Sequence, residues 1–174
     1  MTVPDAFRGA WARQSIALGD APPSEPASVI WVQGESAYAD LRLPLDAGEP
    51  TECFAGHTTW TPPQLRWGHD IDLAGGPAAV TDVGTVEWAG PDLIERGEFE
   101  IDGAVVPYVE VWHRLPGSDG RILEEVAEGL IRVVVGDHEL LVVDRRREGL
   151  GFAAEYRRKG LVVLAHGDLE EVLT

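Results

Sequence analysis

Along most of the chain, apolar and polar residues alternate in short segments divided by clusters of Gly, Pro and Asp. That is the pattern of half-buried β-strands rather than of helices. Gly9 to Leu18 reads as a first strand, and the Pro-rich stretch Pro22-Pro23-Ser24-Glu25-Pro26 as the loop after it. Ser28 to Gln33 places Val29, Trp31 and Gln33 on one face and Ile30 and Val32 on the other. Tyr38 to Leu43 returns, with Tyr38, Asp40 and Arg42 opposite Ala39, Leu41 and Leu43. Glu52 to Trp60, Gln64 to Leu73, Thr81 to Trp88 and Leu93 to Ile101 follow. Asp102-Gly103 is the strongest hairpin signal and leads into Val105 to Leu115. Arg121 to Glu128 has good helix propensity but is short and stopped by Gly129; it is read as a strand paired with Val105 to Leu115. Leu130 to Val135, Glu139 to Asp144, Phe152 to Arg157 and Leu161 to His166 complete the series. Asp168 to Thr174 suits a short terminal helix capped by Asp168.

Roughly ten to twelve strands without a covering helix imply an all-β fold. Antiparallel sheets of that size tend to curl and close, because closure removes exposed edges. The expectation is one domain over residues 1–174, a closed or nearly closed antiparallel β-barrel of about 8–10 strands or more. Its interior is wide enough for side chains or one small ligand.

Composition narrows the functional classes. The net charge of −16, from 14 basic and 30 acidic residues, repels phosphate backbones and anionic lipid surfaces. The basic cluster Arg145-Arg146-Arg147 with Arg157-Arg158-Lys159 reads as a solvated hairpin end. Neither nucleic acid nor membrane is therefore expected as a partner. No apolar run reaches the roughly 20 residues of a spanning helix, and the start lacks the basic-then-apolar pattern of a signal peptide. Cys53 is the one cysteine, so no intramolecular disulfide or all-Cys metal site can form. Cytoplasmic residence is the resulting expectation. Asparagine is absent and Lys159 is the one lysine, which suits a GC-rich coding sequence such as that of a bacterium.

Gly9-Ala10-Trp11, opening the first strand, resembles the G-x-W motif that begins lipocalins and other calycin barrels. The resemblance implies a lipocalin-like barrel closed at one end by Trp11, with Gly9 beside it. A basic residue from a late strand, Arg157 or Arg145, would pack over the indole and cap backbone carbonyls. Without a signal peptide or disulfides, the chain is similar to bacterial cytoplasmic members of that group. Nitrobindin-like members bind haem, and the chain has five histidines. Here, however, Ala12-Arg13-Gln14-Ser15 follows the tryptophan in place of the nitrobindin glycine pattern.

Candidate chemistry lies where polar side chains share strands with core residues. Tyr38, Asp40 and Arg42 form either a solvent face or a pocket wall with a cation held by a carboxylate. Trp67, His69 and Ile71 share one face of their strand, with Asp70 and Asp72 on the other. His57 lies on the preceding strand, so His69 or His57 with Asp70 or Glu110 could serve acid–base catalysis. Their spacing matches no metal motif, and no metal site is expected. Tyr108, Glu110, Trp112 and Arg114 share a face near Glu95: aromatic walls with polar anchors. Trp31 and Trp67 are further lining candidates. No G-x-S-x-G elbow, P-loop, Rossmann fingerprint or H-E-x-x-H occurs. The leading expectation is a barrel binding a small, mostly apolar or amphipathic molecule, with no resident cofactor. An acid–base enzyme and a haem-binding barrel are the alternatives. The oligomeric state stays open.

Overall fold

The computed structural model describes residues 2–75, 81–101 and 103–174. The first eight strands are β1 (Gly9–Leu18), β2 (Ala27–Gln33), β3 (Ala37–Pro44), β4 (Glu52–Thr61), β5 (Gln64–Asp72), β6 (Thr81–Ala89), β7 (Asp92–Ile101) and β8 (Ala104–Arg114). They pair antiparallel in chain order, and β8 returns to β1 to close a barrel. β7 and β8 meet at Ile101 and Ala104 across Gly103, whose φ of 76° is the left-handed conformation a tight hairpin requires. The other half of that expected turn, Asp102, lies outside the described residues.

The barrel closes with eight strands, within the expected range, and the remaining strands lie outside it. β9 (Ile122–Ala127), β10 (Leu130–Val135), β11 (His138–Asp144), β12 (Phe152–Arg158) and β13 (Leu161–His166) form a separate five-stranded sheet. The segment expected to pair with β8 is β9, and it pairs with β10 instead, Val133 opposite Glu124. Its partner is the nearest strand in the chain, reached through the Glu128-Gly129 turn. A short helix α1 (Leu169–Leu173) ends the chain, capped as expected by the Asp168 carboxylate, which accepts from the backbone N–H groups of Glu170 and Glu171.

The sheet lies over the outer face of β2–β4. Val133, Val135, Leu140 and Val142 of the sheet share one apolar cluster with Ile30, Val32, Ala39, Leu41, Cys53 and Ala55 of the barrel. Polar clasps hold the two together. Glu124 accepts from Ser36 N–H, Ser36 Oγ–H and Ala37 N–H at the β2–β3 turn. Arg146 donates to the carbonyls of Asp72 and Leu73, 2.7 Å each, at the end of β5.

This cover explains why both faces of β3 are buried. Ala39 and Leu41 pack under the sheet, while Tyr38 and Asp40 point into the barrel with almost no exposure. The solvent-face reading of Tyr38, Asp40 and Arg42 is thereby overturned.

The end of the barrel where β1 begins is filled. Trp11, fully buried, stacks on Trp31 with ring centroids 5.7 Å apart and donates its indole N–H to the Phe7 carbonyl. Phe7, Leu65, Leu93 and Val86 complete the plug. The basic residue at this end is Arg114, the cross-strand partner of Trp11, which donates to the carbonyls of Arg8 and Ser118. Arg157 and Arg145, expected there, belong to the outer sheet and its turn, where they pair with Glu155 and Glu148. Arg114 therefore caps backbone carbonyls instead of lining the interior. It keeps the alternation of β8 but lies below the cavity floor.

Candidate functional site

Above the plug the barrel encloses a cavity of about 390 Å³, within the range of small-molecule pockets. Its floor and walls are aromatic. Trp31 meets Trp67 and Trp112 edge-on at 5.7 and 5.6 Å, and Phe99 stacks on Tyr108 at 4.3 Å. Nine of the ten lining candidates read from the sequence surround it: Trp31, Tyr38, Arg42, Trp67, His69, Glu95, Tyr108, Glu110 and Trp112. Asp40, Phe54, Asp72 and Asp82 join them.

Two β-bulges tune the lining. On β5 the register shifts so that Gly56 faces His69 but Ala55 faces Ile71, leaving Asp70 as the extra residue. Trp67 and His69 consequently point inward. Ile71, expected on their face, packs under the outer sheet, and Asp72 turns into the cavity. Asp70 and His57 bond each other at 2.6 Å on the exposed outer surface, away from the cavity. That pair cannot act with an interior Glu110. On β1 a second bulge follows Arg13.

His69 is clamped. One ring nitrogen lies 3.0 Å from the Asp72 carboxylate and the other 3.1 Å from that of Asp82. The ring stacks on Phe54 with centroids 4.4 Å apart. Burial works against its charge, but hydrogen bonds to Asp82 and Asp72 outweigh it and raise the pKa. Both ring nitrogens are engaged by carboxylates, so neither is free for a substrate or for iron. Haem, which the barrel resemblance suggested, does not fit: His69 is the one histidine on the cavity wall.

Two arginines and two buried glutamates, in the lining or paired with it, stand on β1, β3, β7 and β8. Arg13 donates to Glu110 at 2.6 Å and to Glu25 at 2.8 Å. Arg42 donates to Asp40 at 2.9 Å and lies 4.0 Å from Glu110. Burial opposes both guanidinium charges, yet the neighbouring carboxylates keep them firmly protonated. Glu95 faces Glu110 across the β7–β8 pair, and its oxygens accept from Tyr108 O–H at 2.7 Å and Trp112 N–H at 3.1 Å. Burial and the Glu110 charge push the Glu95 carboxyl up to about 8. Glu110 is also raised, by burial, with Arg42 and Arg13 opposing. Arg13 was missed in the sequence, although its i+2 spacing from Trp11 placed it on the inward face.

Among the described residues, the buried side-chain polar atoms without a hydrogen-bond partner are the Trp31 indole Nε1 and the Tyr38 hydroxyl. Both residues line the cavity and are 2% and 1% exposed. Burial, with the carboxylates of Asp40 and Asp82, holds the phenol protonated.

A family model described as "Protein HRI1" matches residues 10–164, which takes in all of the barrel but Gly9 and most of the outer sheet. The chain belongs to the HRI1 family. The fold of this HRI1-family chain is similar to the crystal structure of an uncharacterised protein, YLR301w, from Saccharomyces cerevisiae. The TM-score is 0.71 with 15% sequence identity, covering 94% of this chain and 86% of the yeast one. At that identity the likeness speaks for the fold alone. No curated protein matches the HRI1-family sequence. Among the described residues, no helix is long and apolar enough to cross a membrane.

Proposed function

We propose that this chain is a binding protein that holds one small amphipathic molecule inside a calycin-like barrel. The observation that carries the reading is the pair of buried donors, Trp31 N–H and Tyr38 O–H, left without protein partners on the cavity wall. A buried donor left unbonded costs about 1–3 kcal/mol, and a ligand acceptor reaching the floor would remove that cost. Aromatic walls supply the apolar contact, and a few polar anchors fix orientation. Acid–base catalysis has less support, because His69 has both nitrogens engaged and the His57–Asp70 pair faces outward. A cytoplasmic setting and a single folding unit remain part of this proposal.

The test is a tryptophan-fluorescence titration with small aromatic amphiphiles of positive, zero and negative charge. Saturable one-to-one quenching by at least one of them, weakened in Trp31→Phe, is the expected result. If no member of any charge binds, the binding reading is wrong.

A further inference from the structure

Glu95 is 6% exposed, sits in the cavity wall, and forms no ion pair with any described Arg, Lys or His. Its two partners, Tyr108 and Trp112, are neutral donors. A buried carboxyl normally keeps a base beside it, because an unpaired buried charge is costly. Here the cavity occupies the space on its remaining side. The groups facing Glu95 from the surrounding strands are Glu110 and Tyr108 on β8, Arg42 and Asp40 on β3, Arg13 on β1, His69 on β5 and Asp82 on β6. Every base among them is already engaged: Arg13 by Glu110 and Glu25, Arg42 by Asp40, and His69 by Asp72 and Asp82.

Resting on the binding reading above, we propose that the molecule bound is an organic cation, an amine or quaternary ammonium on an apolar body, with Glu95 as its counter-ion. The rings of Tyr108, Phe99 and Trp112 lie along this wall, and aromatic rings attract such a group electrostatically. Trp31 N–H and Tyr38 O–H at the floor receive an acceptor on the other end of the same molecule. The chain's net charge of −16 draws cations toward it and repels anions. In the free protein the Glu95 carboxyl keeps its proton through burial and the facing Glu110. Seating a cation beside it favours the carboxylate, so the proton passes from Glu95 to solvent buffer as the ligand enters.

Three benzyl probes separate this inference from the broader reading: benzyltrimethylammonium, its neutral carbon isostere neopentylbenzene, and the anion phenylacetate. The cation should bind about tenfold or more tighter than the others, and Glu95→Gln should remove that preference while leaving the neutral probe unchanged. Calorimetry of wild-type protein near pH 7 in buffers of different ionisation enthalpy should show a proton released as the permanent cation binds, whether or not the variant folds. Binding of the neutral or anionic probe as tightly as the cation, or cation binding without proton release, overturns the inference and leaves the binding reading standing. Absence of binding by all three overturns both.

Discussion

Glu95 and Glu110 stand directly opposite each other on neighbouring strands, yet of the two only Glu110 forms ion pairs with Arg13 and Arg42. The two carboxyls therefore have different electrostatic fates in one small volume.

The Arg13–Glu110 pair is almost wholly buried, with side chains 5% and 2% exposed. Removing Glu110 leaves Arg13 with Glu25 as its one carboxylate, and removing Arg13 leaves Glu110 with Arg42 at 4.0 Å, whereas removing both members leaves neither of their charges buried. Glu110→Leu should cost about 3 kcal/mol in urea unfolding. The Arg13→Leu/Glu110→Leu double variant should cost clearly less than the sum of the two single changes. Additive costs would show that the two groups are not coupled.

Glu95 titrates higher in the folded chain than in an unfolded one. The folded state thus holds the proton more tightly, and this stabilisation is complete below the usual carboxylate range. It is lost as pH rises through about 8. The whole effect is at most about 5 kcal/mol. Glu110 is shifted the same way. Stability of the wild type should fall between about pH 5 and pH 8.5 relative to Glu95→Gln, whose profile should be flatter. Equal slopes in chemical denaturation at several pH values would refute the assignment.

Tyr38→Phe removes a buried hydroxyl that has no partner in the protein. Its stability should be unchanged or up by about 1 kcal/mol, and its affinity for the cavity ligand should drop. A clear loss of stability without ligand would mean that the hydroxyl already has a partner.

Barrel and outer sheet share one core, so they should unfold together. Leu140 is fully buried in the sheet, while all six tryptophans belong to the barrel segment. Leu140→Ala should cost about 2–5 kcal/mol. Tryptophan emission and far-UV circular dichroism should still share one midpoint. Two separated midpoints would show independent units.

Much of the barrel was legible because alternation with period two survives wherever one face meets the cavity. It placed Tyr108, Glu110 and Trp112 together on one face of β8. It failed where the pleat is interrupted or covered. The bulge at Asp70 exchanges the faces of Ile71 and Asp72, and single-residue slips leave no mark in composition. Apolar Ala39 and Leu41 marked one buried face of β3, but nothing local revealed that a second sheet would bury it. A core lay inside the barrel as well, behind Tyr38 and Asp40. The partner of Ile122–Ala127 was misread because alternation marks a strand without naming its neighbour; the short Glu128-Gly129 turn to β10 was the local signal. Arg114 kept its phase but passed the cavity floor, a distance along the strand that alternation does not encode.

The clasped sheet makes the two halves of the barrel mechanically unequal. Staves β2 to β4 are braced from behind by close-packed side chains, which resist deformation. β5 shares that backing at Ile71 and at the Arg146 clasp, whereas β6 and β7 contribute no buried residue to the shared cluster among the described residues. Tyr38, Asp40 and Arg42 thus stand on the stiff side of the cavity, and any change in its width falls to the unbraced wall that carries Glu95 and Trp112.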